Sequence, residues 1–416
     1  MNEYALPKPF TIVFSSFFAV IIFLLQACNE KPTDISETLL SDTVSVGACN
    51  SDNTLLITGD KQEKVGIPIF NAQALFVGKY KEYEAITFIR FPNLPDSLSY
   101  IREKNIVYAK CKIYPGFYSF GDTITNQLGF DVHKIVKLFT NLTTYDSISQ
   151  SAEPYWDVKI LANYSGKINP HGDTLDPLEL ELDKSIISEW AASVEDSIAK
   201  TMNYGIALIP KNESSYIRLF NAQAIGSTLP RPQIEIAYLG NDNESHTITL
   251  QSANDLSVVS APKPEENMIT VQGAISYKSR LYFDVSMLPP LVSIHHAELI
   301  LSLDASKSEW GNSGADTTIQ ADLLSDTTLT SSVVRQFQGG RIFGTNKYVF
   351  KSIAAAIETW NRREGKGFLV LSPLGSENIY RSMERMVFYG TNESDTSLRP
   401  FLKIVYSQRP DFNKNR

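Results

Sequence analysis

The sequence predicts an all-β protein of two tandem β-sandwiches, each with one short helix, on three observations. Strand-length runs recur between Gly, Pro, Asn and Asp, as in Ala85-Ile86-Thr87-Phe88-Ile89-Arg90-Phe91 and Gly367-Phe368-Leu369-Val370-Leu371. The composition leans towards strand, with 19 Tyr and 22 Phe beside 4 Trp. An ordered set of features also occurs twice within the 416 residues, a length that suits two domains. Hydrophobic residues at 43% and charged residues at 20% provide for proper cores.

The chain opens with Lys8 and an apolar run from Phe10 to Leu25, interrupted by Thr11, Ser15 and Ser16. A short apolar core before a small residue is the secretory pattern. The ending Leu25-Gln26-Ala27-Cys28 resembles the bacterial lipobox, which implies lipidation of the Cys28 thiol and cleavage after Ala27. A signal anchor is the alternative, since the run nearly suffices to cross a bilayer. Asn29 rather than Asp follows Cys28 and points to outer-membrane sorting, if the organism has an outer membrane.

Polar, weakly patterned sequence up to about Asn50 reads as a tether. Beyond it, Phe88-Ile89-Arg90-Phe91 with Leu94-Pro95 is matched by Leu281-Tyr282-Phe283-Asp284 with Leu288-Pro289. Helical patches then end in Trp190 and Trp360, each with an apolar i,i+4 pair: Ile186 with Trp190, and Ile353 with Ile357. Strands from Tyr204 and Gly367 follow, and each half closes alike, through Arg231-Pro232 to Tyr238 and Arg399-Pro400 to Tyr406. The expected division is a signal peptide at 1–27, a tether at 28–50, sandwiches at 51–240 and 241–407, and a tail at 408–416. The linker is expected near Asn241-Asp242-Asn243-Glu244-Ser245.

This order of features resembles the DNRLRE-type domain, a family of bacterial secreted modules grouped with carbohydrate-binding modules. The second copy carries it in Arg280-Leu281-Tyr282-Phe283-Asp284-Val285-Ser286, Trp360 and Arg399-Pro400 to Tyr406. The first is looser, with Pro92 at the Asp position and an insertion between roughly Gly121 and Asp176. The resemblance implies two tandem jelly-roll-like sandwiches and, for some members, binding to acidic polysaccharide such as alginate.

A net charge of −8 without a Lys/Arg cluster argues against nucleic-acid binding. No His-Glu-x-x-His, Gly-x-Ser-x-Gly or phosphate-binding Gly loop occurs. His295 and His296 are strand neighbours and point to opposite faces. Glu179 and Glu181 alternate with leucines, the pattern of a solvated strand face rather than of an acid–base pair. No cofactor is expected beyond a structural calcium ion at Asn169, Asp173 and Asp176, where a plain turn is the competing reading. Cys49 and Cys111 form either one disulfide or, for Cys111, a small core residue.

Ligand contact is expected from loop aromatics: Tyr114, Phe117 and Tyr118 in the first copy, and Trp310 at the corresponding place in the second, with Arg381 as a cationic contact. Folding back of these rings to cap the core is the alternative. The sequence therefore points to a lipid-anchored, non-catalytic glycan-binding or adhesion protein. The alternative is a structural or assembly lipoprotein that binds a protein partner.

Overall fold

The computed structural model describes residues 45–64, 69–72, 74–169, 176–222, 229–274, 277–290, 292–312, 314, 318–329, 331–375 and 381–408. Cys28, Asp173, the tether before Ser45 and the tail beyond Gln408 lie outside them.

The chain begins with β1 (Ser45–Asn50), β2 (Ile57–Lys64) and β3 (Ile69–Phe70). It continues through β4 (Ala74–Tyr80), β5 (Tyr83–Arg90), β6 (Ile106–Ile113), β7 (Pro115–Gly121) and β8 (Leu128–Ile135). Helix α1 (Tyr145–Ser149), β9 (Trp156–Gly166), β10 (Leu178–Glu181), α2 (Lys184–Ser193) and α3 (Ser197–Thr201) follow. The first half ends with β11 (Ile206–Pro210), β12 (Tyr216–Asn221) and β13 (Gln233–Leu239). The second half has β14 (Ser245–Gln251), β15 (Asn254–Ser260), β16 (Met268–Gln272), β17 (Tyr277–Asp284) and β18 (Ser293–Ser302). Then come β19 (Thr318–Leu324), β20 (Val333–Arg341), β21 (Lys347–Phe350), α4 (Ala354–Asn361), β22 (Lys366–Pro373), β23 (Arg385–Tyr389) and β24 (Phe401–Gln408).

The fold is all-β, as expected, and every ladder among the described residues is antiparallel. One sandwich packs the sheet β10-β6-β13-β14 against β7-β12-β4-β5-β11-β8-β9, which β15 extends at β5. Leu75, Ile89, Phe130, Val132, Ile206 and Leu208 of the larger sheet meet Ala109, Cys111, Ile234, Ile236 and Leu250 of the smaller. The other sandwich is a single sheet, β1-β24-β18-β21-β20-β19-β22-β17-β16-β23, with β2 also on β17. It folds on itself because β20 pairs with β19 through most of its length and with β21 at Gly340 and Arg341. Strict alternation drives this packing: in β17, Leu281 and Phe283 enter the core while Arg280 and Tyr282 face out.

The expected domain boundaries are corrected by strand pairing. Strand β1 lies on β24, with Ser45 opposite Gln408, and β2 lies on β17, with Leu281 opposite Asp60. Thus residues 45–64 complete the second sandwich. Reciprocally, β14 lies on β13 and β15 on β5 in the first. The stretch expected as a linker is the β13–β14 hairpin turn, closed by the Gly240 N–H donating to the Glu244 carbonyl at 2.9 Å. Likewise, residues 45–50 of the expected tether form a strand. The two sandwiches are therefore interlocked: each half of the chain donates its leading pair of strands to the other. The physical reason is edge satisfaction, since each donated pair occupies sheet edge and supplies core residues such as Leu56, Ile57 and Leu250.

A further apolar core joins the two sandwiches, with Phe76, Tyr83, Tyr118 and Phe120 against Ala274, Tyr277 and Met383. Helices α2 and α4 take equivalent places. Trp190 meets Phe91 at 6.1 Å between ring centroids, and Trp360 stacks on Phe283 at 4.9 Å. Cys49 and Cys111 are free thiols, because β1 belongs to the second sandwich and Cys111 to the core of the first. Burial pushes the Cys111 thiol up to about 12.

Leu56→Ala is expected to cost about 2–5 kcal/mol, the cost of truncating a fully buried leucine. Hydrogen exchange should locate the loss in β17 and β24 of the second sandwich, and not in the first-sandwich strands that adjoin this segment in sequence.

Candidate functional site

The outward faces of β5 and β17 occupy equivalent positions, which makes the two sandwiches directly comparable. In the first, Phe88 lies opposite Leu256 of β15 and Ala207 of β11, and Ile86 lies opposite Val258. In the second, Arg280 lies opposite Lys61 of β2 and Val370 of β22, and Lys278 lies opposite Glu63. Beyond them, His133 of β8 corresponds to Asp322 of β19, and Asp131 to Gln320. Four apolar positions on one face are thus charged on the other.

The first face is closed. The insertion folds over it, placing Phe139, Ile148 and Tyr155 against Phe88, Ile135, Ala207, Leu256 and Val258. Helix α1 within this cover is fixed by a capping box between Thr144 and Ser147.

The second face has no such cover among the described residues. Its rows run Gln338, Gln320, Ser372, Lys278, Glu63 and Gln336, Asp322, Val370, Arg280, Lys61. Neighbours hold these side chains in place. Gln320 donates to the Asp322 carboxylate at 2.7 Å, and Arg280 pairs with Glu63 at 3.2 Å. The Arg280 guanidinium also lies 5.1 Å from the Phe368 ring centre, and Phe368 lies 6.1 Å from Tyr282. Burial raises the Asp322 carboxyl above the ordinary range despite hydrogen bonds from Gln320, Gln336 and Ser372 and the nearby Lys278 charge.

At one end this face drops into a cleft of about 520 Å³ beside Trp360. Half-exposed Tyr282 and Phe368, exposed Arg363 and Lys366, and Asp326 and Thr327 line it. Gly367 is required at its floor, since a Cβ there would lie 2.0 Å from the Trp360 indole nitrogen. An equivalent cleft of about 460 Å³ beside Trp190 is spanned by the Lys134–Glu189 ion pair. Aromatic rings, amides, a hydroxyl and cations set in register on a rigid sheet suit a hydroxyl-rich, ring-shaped ligand.

The residues singled out from the sequence lie elsewhere. Tyr118 is buried between the sandwiches, and its hydroxyl accepts from the Met383 N–H at 2.8 Å. Trp310 is half-buried and packs on the second core. Tyr114 is buried, with its hydroxyl accepting from Gln233 at 2.9 Å, while Phe117 is 67% exposed and Arg381 partly exposed. The expected first loop is strand β7, and the structure sets it against the loop that carries Trp310 rather than placing the two in separate sites. Asn312 accepts from the Ser119 N–H at 3.0 Å and donates to the Phe117 carbonyl at 2.7 Å, and Glu309 binds Tyr83 and Lys81.

Glu179 forms a cross-strand pair with Lys110 at 2.8 Å, and this hydrogen bond holds its carboxyl below the usual range. Asn169 and Asp176 flank the undescribed stretch containing Asp173. Among the described residues, no three His, Cys, Asp or Glu side chains are grouped to hold a metal, and no helix is long and apolar enough to cross a membrane. The open face was missed because its signal lies in comparing strands. Lys278-Ser279-Arg280-Leu281-Tyr282 alternates with polar residues where Ile86-Thr87-Phe88-Ile89-Arg90 is largely apolar on both faces.

No family model matches the chain, and no curated protein matches it. Among solved structures, one of the Macrobrachium rosenbergii nodavirus aligns at 9% identity over 92% of this chain and 94% of that one, with a TM-score of 0.13. The infectious bursal disease virus VP2 subviral particle aligns at 11% identity over 88% of this chain and 78% of that one, also with a TM-score of 0.13. Likeness at that level carries no argument.

Because the Asp322 carboxyl is raised in the folded state, the native protein binds its proton more readily than the unfolded chain. Stability therefore falls as pH rises from the ordinary aspartate range through the raised value, and stays lower above it. Asp322→Asn is expected to raise the melting temperature at pH 7. The gain should disappear below about pH 4, near the unfolded value, in melts recorded across pH.

Proposed function

We propose that this chain is an exported, lipid-anchored protein that binds a polysaccharide without turning it over, on the open face of the second sandwich and in the cleft beside Trp360. The observation that carries this reading is the contrast between the two register-matched faces. One is apolar and covered by the insertion; the other is polar and ring-bearing, with Gln336, Gln338 and Lys61 exposed along its margins. Half-exposed Tyr282 and Phe368 offer ring faces to sugar C–H groups, and exposed Gln336 and Gln338 offer amides to hydroxyls. Arg363 and Lys366 at the cleft give an acidic polysaccharide, such as a uronate polymer, its counter-charges. The DNRLRE-like order of motifs supports the same assignment, and the Leu25-Gln26-Ala27-Cys28 ending supports the anchor.

A second reading, an envelope assembly lipoprotein, is favoured by strand β9. It pairs with β8 along one edge, and Val158 and Ile160 are exposed on it. A partner strand added at such an edge gains backbone hydrogen bonds and side-chain contacts together.

Affinity gel electrophoresis of the whole chain on acidic and neutral polysaccharides separates the two. Tyr282→Ala and Phe368→Ala are each expected to weaken binding about 5- to 10-fold, the loss of one aromatic contact. Arg363→Ala should weaken binding to acidic polymers alone. Absence of binding, or binding indifferent to all three substitutions, would leave the assembly reading standing.

A further inference from the structure

The β20–β21 hairpin stands apart chemically from the rest of the chain. From Thr327 to Ile357 there is no Asp or Glu, although the protein carries a net charge of −8. The same stretch carries Arg335, Arg341, Lys347 and Lys351. At its tip Phe343 is 102% exposed, with Ile342 at 45%, and Val334 and Val333 are exposed lower on β20. Isolated exposed apolar residues are ordinary, but an aromatic tip framed by cations and free of acids is an amphipathic element.

The tip is also held rigidly. The Ile342 N–H donates to the Lys347 carbonyl at 2.8 Å, and the Thr345 N–H to the Ile342 carbonyl at 3.0 Å. Arg341 Nε donates to the Thr345 carbonyl at 2.9 Å, and its terminal nitrogen to Asn346 Oδ1 at 2.9 Å. Gly344 takes φ +73°, which lets the chain reverse directly behind Phe343. The ring is therefore displayed without any ordering of the loop on contact, and little entropy is lost when it is covered.

We propose that this hairpin docks on an anionic lipid bilayer, with Phe343 and Ile342 entering the boundary between headgroups and acyl chains. Lys347, opposite Ile342 at the turn, then faces the headgroups, and Arg335 and Lys351 lower on the hairpin add longer-range attraction. Charge complementarity chooses this occupant: a basic, acid-free hairpin on an acidic protein is attracted to an anionic surface while the rest of the body is repelled. The contact is independent of the glycan reading and adds to the lipid anchor a second point that fixes how the body lies on the membrane. Lys347 lies opposite Ser302, whereas Ser407, next to the residue facing Ser45, lies opposite Ser293. The tip and the entering chain thus sit at opposite ends of β18, about 30 Å apart at the rise of a strand. The 16 residues between Cys28 and Ser45 reach at most about 55 Å, enough for both to touch one bilayer.

Phe343→Trp in the full chain tests this directly, because an exposed tip tolerates the exchange. The chain is incubated with vesicles of phosphatidylcholine alone or with phosphatidylglycerol, each with and without brominated acyl chains. The expected result is a blue-shifted indole emission quenched by brominated chains in the phosphatidylglycerol vesicles, over and above the parent chain's tryptophans. Lys347→Gln should weaken this signal about fivefold, the effect of removing one cation at an anionic surface. A chain held on vesicles by its N-terminus with the introduced indole unquenched would overturn the proposal while leaving the anchor intact. So would equal quenching in both lipids, no vesicle association at all, or an indole shielded from an aqueous quencher by self-association without lipid.

Discussion

The ladder between β1 and β24, and its counterpart between β14 and β13, close each sandwich with a strand drawn from the other half of the sequence. The same holds one strand later, where β2 completes the sheet at β17 and β15 completes it at β5. Neither sandwich then draws its edge strands from one half of the chain alone. The fold of each depends on the other, and the apolar junction through Phe76, Tyr118, Phe120 and Met383 follows from that dependence. Two chain crossings bring the faces together, and Glu309, Asn312 and Arg385 fill the remaining polar positions between them.

The exchange also shapes the open face. Lys61 and Glu63, which edge it, come from β2, yet they act beside Arg280 and Lys278, more than two hundred residues away. In the first sandwich the equivalent edge is Leu256 and Val258, which suit a face under an apolar cover. Of the two register-matched faces, one is sealed by apolar side chains and the other carries charge. The insertion supplies the seal, and β2 supplies the charge.

Much of the architecture was legible in the sequence. The strands through Phe88 and Leu281, the helices carrying Trp190 and Trp360, and the closing strands that hold Tyr238 and Tyr406 all appear where the motifs lie. The aromatic loops were legible as special but not as to role. Tyr118 and Trp310 are large rings beside glycines, and that pattern is the same whether a ring meets a ligand or a second sandwich. Burial is a property of what arrives from elsewhere in the chain, and Met383 and Asn312 arrive from far away.

The sequence by itself determined that the chain is β-structured, that its motifs recur, and which side of most strands is apolar. These are local properties: side chains alternate along a strand whatever it pairs with. The tertiary structure alone decided which strands pair, and so which half owns β1, β2, β14 and β15. Backbone hydrogen bonds are the same for any antiparallel partner, so the choice is made by side-chain packing and edge satisfaction across the whole molecule. That choice set the boundary between the halves inside a hairpin, buried Tyr118, left Cys49 and Cys111 in different cores, and set Arg280 in an ion pair with Glu63 where its counterpart Phe88 lies under an apolar cover.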